Sequence, residues 1–374
     1  MRSRMVAGAM GVLVAATVAV AVPAAAQPGD APGVVIDVSA VPDQVWVEEA
    51  DAGYRMTYWS RGPRGPMRST AVIYLPPGSP PPGGWPIVAY AHGSVGIADH
   101  CAFTLQRRDY YLDTVYPGLL RAGYAVVISD YVGLGTPGTH PYLDGPSQAR
   151  SVIDGVRAAR TVVPELSVRW AVLGQSQGGQ TALFTARTAS EDAPELDFRG
   201  AAATGTPSNL ELIAPLLGPW VPRLPLRVTT AYFAMIVAGL RATAPELDVD
   251  RYLTPTGREV LRVVEENCVA EADELVRGIS IGEMLNGPLQ DRELALAVRS
   301  MLEIPTTGYS APLFLGQGVA DLEVPAPLSV KLITELTLGG ADLQVGVYPG
   351  DHLGAARQAY PDAVDFLRRV LDRP

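Results

Sequence analysis

The stretch Gly174-Gln175-Ser176-Gln177-Gly178-Gly179 decides how the rest of the chain is read. An apolar run, Trp170-Ala171-Val172-Leu173, precedes it, and a segment of helical character, residues 177–188, follows. A serine between glycines, set between a strand and a helix, is the pattern of a nucleophile elbow. The turn must be sharp enough to lift the hydroxyl clear of the backbone, and the flanking positions come too close to neighbouring chain for side chains. Glycine and serine are common here, so the five-residue pattern alone would arise by accident about 0.2 times. A glycine-rich turn closing an ordinary βα unit is the competing reading. The flanking strand and helix favour the elbow.

Composition bounds the rest. The chain has 374 residues, 48% hydrophobic and 18% charged, enough for one large core and an accessory region. A net charge of −10 without a basic stripe argues against a nucleic-acid partner. Residues 1–26 read as a secretory signal: Arg2 and Arg4, an apolar run over 6–22, then Ala24-Ala25-Ala26 as a cleavage site. The run is short for a membrane span, and Pro23 and the small residues after it favour cleavage after about Ala26. The expected location is therefore outside the cell or in its envelope. An even count of cysteines in an oxidising compartment, Cys101 and Cys268, suggests one disulfide, two buried thiols being the alternative. Neither cysteine has metal-ligand spacing around it, and no metal is expected.

Strand-like runs occur at 55–60, 69–75, 86–91, 124–129, 170–173, 198–204, 312–316 and 343–348. Helical spacing marks Ala149, Val152, Ile153, Val156, Ala159 and Val163, and further helices are predicted over 326–336 and 361–371, the last with Pro361 in its first turn. Strands alternating with helices predict a mostly parallel sheet covered on both faces. From 208 to 303 strand signals vanish and helical ones take over, with a capping box at Thr256-x-x-Glu259. This block, which includes the apolar Leu216-Leu217-Gly218-Pro219-Trp220-Val221, reads as a helical cap or lid inserted between two parts of the core, 27–207 and 304–374.

A serine hydroxyl is a poor nucleophile until a base takes its proton, and that base is usually a histidine oriented by a carboxylate. With this elbow the chain order is Ser, acid, His. Of His92, His100, His140 and His352, only His352 follows Ser176, and it stands just past the last strand, at the edge where open α/β sheets bind ligands. The acid must lie past the end of a strand between them. Asp321 fits, Glu323 is second, and Asp342 precedes its strand and is excluded. The oxyanion of the tetrahedral intermediate needs preorganised donors. The backbone N–H of Gln177 is one, and Ser94, with Val95 the alternative, supplies the other from the loop after His92-Gly93. His92 reads as structural and His140 as a solvated loop residue.

Together with Tyr90-Ala91-His92-Gly93-Ser94, Cys101-Ala102, Ser129-Asp130-Tyr131-Val132-Gly133-Leu134-Gly135-Thr136, Ser151-Val152-Ile153-Asp154-Gly155-Val156-Arg157-Ala158-Ala159 and Gly350-Asp351-His352, these residues resemble the secretory lipase family. This is the group of the yeast lipase A type, with an actinobacterial branch, within the α/β-hydrolase superfamily. The resemblance implies an α/β-hydrolase fold with an inserted cap carrying a lipid-facing tunnel, a Ser176–Asp321–His352 triad and no cofactor. It also implies a disulfide between Cys101 and Cys268 that ties the loop after the 86–91 strand to the cap. The expected function is a secreted serine ester hydrolase, lipase or esterase, acting on lipid or short-to-medium-chain esters. Transient contact with lipid interfaces fits that function, and no obligate protein partner is implied. An acyltransferase using the same triad, and a non-catalytic binding protein on the same fold, are the rivals.

Overall fold

The computed structural model describes residues 28–108, 110–224 and 228–372, and the signal expected at 1–26 lies outside them. Nine strands form one sheet among the described residues: β1 (Val35–Ala40), β2 (Ala52–Gly62), β3 (Gly65–Leu75), β4 (Trp85–Ala91), β5 (Ala125–Ser129), β6 (Leu166–Gln175), β7 (Asp197–Thr204), β8 (Leu313–Gly318) and β9 (Leu343–Tyr348). Their order is β1-β2-β3-β5-β4-β6-β7-β8-β9. The pairs β1/β2, β2/β3 and β3/β5 are antiparallel and the other five are parallel.

The short apolar runs are continuous because both faces of the sheet are covered. Successive side chains alternate: Ile87, Ala89 and Ala91 join one apolar cluster, Val88 and Tyr90 the other. The helices divide accordingly. Of α1 (Tyr116–Arg121), α2 (Gly145–Val162) and α3 (Gln177–Asp192), the last two cover the first face, and α1 lies on the second.

Between β7 and β8 the chain forms α4 (Thr229–Thr243), α5 (Pro255–Glu266), α6 (Val269–Leu275), α7 (Ile281–Met284) and α8 (Arg292–Leu302). Their buried faces make a third apolar cluster, to which the sheet-bearing part contributes Ile97, Tyr142 and Leu143. A disulfide joins Cys101, in the segment after β4, to Cys268 at the start of α6, and Val269 N–H donates to the Val95 carbonyl at 3.0 Å beside it. Then α9 (Ala326–Leu338) and α10 (His352–Leu371) complete the two faces of the sheet.

The local pattern misplaced three features. β1 was not expected, because its residues are mostly exposed on an edge and show no buried alternation. α10 begins at His352, not near Pro361, which lies inside it. Asp351 caps the true start by accepting from Gly354 N–H at 2.8 Å, and buried Ala355 and Ala359 hold the first turns on the core. The expected capping box at Thr256 is displaced too: α5 starts at Pro255, and Thr254 accepts from Gly257 N–H at 3.1 Å. Proline at the first helical position sets that earlier start. A capping box does form at Ser280 and Glu283, ahead of α7.

Among the described residues, no helix is long and apolar enough to cross a membrane.

Candidate active site

The turn from β6 into α3 is as tight as the glycines imply. A side chain at Gly174 would run into the Gly178 carbonyl, and one at Gly178 into the Ala91 carbonyl of β4. Ser176 stands between them at φ 56°, ψ −121°, a backbone conformation that costs a non-glycine residue about 1–3 kcal/mol. The surroundings hold it there: Ser176 N–H donates to Thr204 at 2.9 Å, and its carbonyl accepts from Gly179 at 2.7 Å. Gln177 is the first residue of α3, so its N–H has no partner in the helical ladder.

Asp321 and His352 arrive from β8 and β9. Asp321 Oδ1 accepts from the N–H groups of Glu323 (3.0 Å) and Val324 (2.8 Å), which turns Oδ2 onto His352 Nδ1 at 2.7 Å. Both residues are buried, at 3% and 5% exposure. Burial depresses the His352 pKa, but the hydrogen bond and charge of Asp321, with the charges of Glu323 and Asp351, outweigh it and leave the pKa above the ordinary histidine value. The Nε2 of His352 pairs with the side-chain amide of Gln175 at 3.1 Å; among the described residues no hydrogen bond joins it to Ser176. Glu323, the second-choice acid, instead accepts from Tyr232 at 3.4 Å.

Ser176 lies where two cavities meet. One, of about 270 Å³, is apolar and lined from both sides, by Leu217, Val221, Phe233 and Ile236 of the helical segment and by Leu143, Leu322 and Leu328. The other, of about 360 Å³, is more polar. Gly93, Ser94, Val95, Arg108, Asp273, Gln175 and His352 contribute to it. Ser94 and Val95 thus both border Ser176's polar side, and the Ser94 hydroxyl hydrogen-bonds Tyr142 at 2.6 Å.

The other buried histidines do different work. His140 is fully buried and not solvated: its Nδ1–H donates to the Val132 carbonyl at 3.0 Å and its Nε2 accepts from the Gln177 amide at 3.1 Å. That amide also meets the Gln148 amide at 2.7 Å, so the residue after Ser176 is pinned from behind. His92 stacks on Phe103 with centroids 4.8 Å apart. Burial lowers the pKa of His92 to about 3 and of His140 to about 4, so both are neutral at physiological pH. Asp130 organises the neighbouring loop by accepting from Thr70 Oγ1 (2.6 Å) and Thr104 N–H (2.8 Å). One group of metal-ligating residue types occurs among the described residues, His100 with Cys101 and Cys268, and both sulfurs are committed to the disulfide.

A family model described as secretory lipase matches residues 104–305, more than half of the chain. The chain belongs to the secretory lipase family. The family match takes in Ser176 and the helical segment and stops short of Asp321 and His352. Among curated relatives, a lipase A of Moesziomyces aphidis is 22% identical over 91% of this chain and 77% of its own. A protein of Mycobacterium tuberculosis named as a probable inactive lipase is 24% identical over 74% of this chain, and the match spans 64% of that relative's length. Among solved structures, Candida antarctica lipase A in its closed state superposes with a TM-score of 0.77 at 19% identity, covering 92% of this chain and 84% of that one. The rice cell wall degrading esterase of Xanthomonas oryzae gives 0.70 at 20% identity, covering 91% and 98%. At these identities the structural likeness carries the α/β-hydrolase fold.

Nothing in the local sequence marks Gln175, and His140 reads there as a solvated loop residue. The one available signal for His140 was its place after a glycine-rich loop in a chain with few histidines.

Proposed function

We propose that this member of the secretory lipase family is an exported carboxylic-ester hydrolase working through an acyl-enzyme on Ser176. The single observation that carries the reading is the buried Asp321–His352 pair, 2.7 Å apart, opening beside a serine on a strained strand-to-helix turn. His352 Nε2 takes the Ser176 proton as Oγ attacks the ester carbonyl. The resulting oxyanion sits on the N–H of Gln177 and that of Ser94. Collapse expels the alcohol, which leaves with the proton from His352, and water enters by the same two steps to free the acid.

In this reading the helices of 208–303 act as a cap, and the apolar cavity takes the acyl chain while the polar one takes the alcohol. Leu216 and Trp220, 67% and 60% exposed beside the cavity-lining Leu217 and Val221, offer an apolar rim for transient contact with lipid. The signal over 1–26 and the disulfide support export. The name of the Mycobacterium tuberculosis relative keeps a non-catalytic reading in play.

Hydrolysis of p-nitrophenyl esters with acyl chains of two to sixteen carbons, wild type beside Ser176→Ala, tests both readings. The expected result is turnover by the wild type and loss to background in a folded mutant. An active Ser176→Ala protein, or a folded wild type that neither turns over an ester nor reacts with a serine-directed phosphonate, overturns the proposal.

A further inference from the structure

The His352 ring has a fixed tautomer at rest. Asp321, as a carboxylate, can only accept, so Nδ1 carries the proton and Nε2 of the neutral ring is a bare lone pair. The group facing that lone pair is the Gln175 side chain, and only the N–H₂ end of its amide can pair there, at 3.1 Å. Gln175 is the last residue of β6 and is buried, so the sheet fixes where its side chain starts. Its oxygen end lies against Gly93. A side chain at Gly93 would begin 2.6 Å from Oε1, so the absence of one there leaves the room the amide occupies.

We infer that Gln175 is a positioning residue that holds His352 in its neutral form and gives up the contact when Ser176 reacts. The inference rests on the proposed roles of Ser176 and His352. A donor aimed at Nε2 stabilises the neutral ring and not the charged one, because protonation would set an N–H against an N–H. Of the ionised groups around the ring, Asp321, Glu323 and Asp351 all favour the charged form, and Arg108 and Asp273 border the same polar cavity. Gln175 therefore opposes the three carboxylates alongside burial, and it is the one opposing group aimed at Nε2 itself. It keeps the base unprotonated in a site whose carboxylates pull the other way, and it occupies the lone pair that must receive the serine proton.

Three proteins separate this role from packing: wild type with a donor, Gln175→Leu with neither donor nor acceptor, and Gln175→Glu with an acceptor. Each is assayed for the pH dependence of kcat/KM on p-nitrophenyl butyrate. Each is also titrated by NMR with ¹⁵N-labelled histidine, the His352 signal being identified by its loss in His352→Ala. The His352 pKa should rise in the order wild type, Leu, Glu, with the Leu step about half a unit to one unit, the shift one hydrogen bond of ordinary strength makes. A Leu variant that titrates with the wild type, or below it, overturns the inference. Should neither variant fold, Gly93→Ala crowds the amide without altering it, and an unshifted His352 titration in that protein overturns it equally. The NMR arm needs no turnover, so an inactive wild type would sink the proposed function while leaving the Gln175–His352 contact separately judged.

Discussion

At Ser176, His352 and Asp321 the chemistry proposed depends on which forms are charged. The Asp321 partnership leaves the His352 pKa raised, and a general base must be neutral, so kcat/KM should fall as pH drops through a value above the ordinary histidine value of about 6.5. Asp321→Asn removes the charge that outweighs burial. Its acid limb should move below that of the wild type while the plateau rate drops on the order of 10³–10⁴-fold, as expected when the ring loses its tautomer. A pH–rate profile of both proteins checks the two shifts together, and an acid limb that stays in place in Asp321→Asn would remove Asp321 from the role proposed. These three residues were legible because each sits at a strand end and in chain order. Gln175 was not, because its partner is 177 positions away and nothing local marks which way a glutamine turns.

At the scale of elements, α4 lines the apolar cavity at Ser176 and the one behind it. Phe233 and Ile236 wall the apolar cavity at Ser176 and also a second apolar cavity of about 120 Å³ enclosed largely by Leu240, Leu253, Leu289 and Leu294. If the first cavity takes the acyl chain as proposed, Phe233→Ala joins the two, and the chain-length optimum should move to longer esters. The p-nitrophenyl series would show a several-fold gain in kcat/KM for twelve-carbon over four-carbon chains relative to the wild type; an unchanged profile would place the acyl chain elsewhere. The helical character of this segment was readable, but its cavities were not. The same apolar residues can fill a core or line a void, and only the fit between neighbouring helices distinguishes them. α10 makes the complementary point. Pro361 looks like a helix start by its own chemistry, yet burial of Ala355 and Ala359 and the Asp351 cap carry the helix back to His352.

Across the whole molecule, the helical segment is bound to the sheet by its own cluster, by Ile97, Tyr142 and Leu143, and by the Cys101–Cys268 bond spanning 167 residues. Cross-linking so distant a pair restricts the unfolded chain. Cys101→Ser with Cys268→Ser should cost about 2–5 kcal/mol of stability, read as a lower denaturation midpoint against the oxidised wild type. An unshifted midpoint would mean that the noncovalent contacts alone hold the two parts. The chain's local pattern was enough to name eight of the nine strands, their mostly parallel arrangement, the elbow and the order of Ser176, Asp321 and His352, because periodicity, glycine placement and strand ends are properties of neighbouring residues. Folding chose the rest: which cavity meets Ser176 on each side, that His140 and Gln148 brace Gln177, and that Gln175 faces His352. Those depend on side chains brought together from far apart along the chain, and the free energy of their burial and pairing belongs to the packed structure and to no single segment of it.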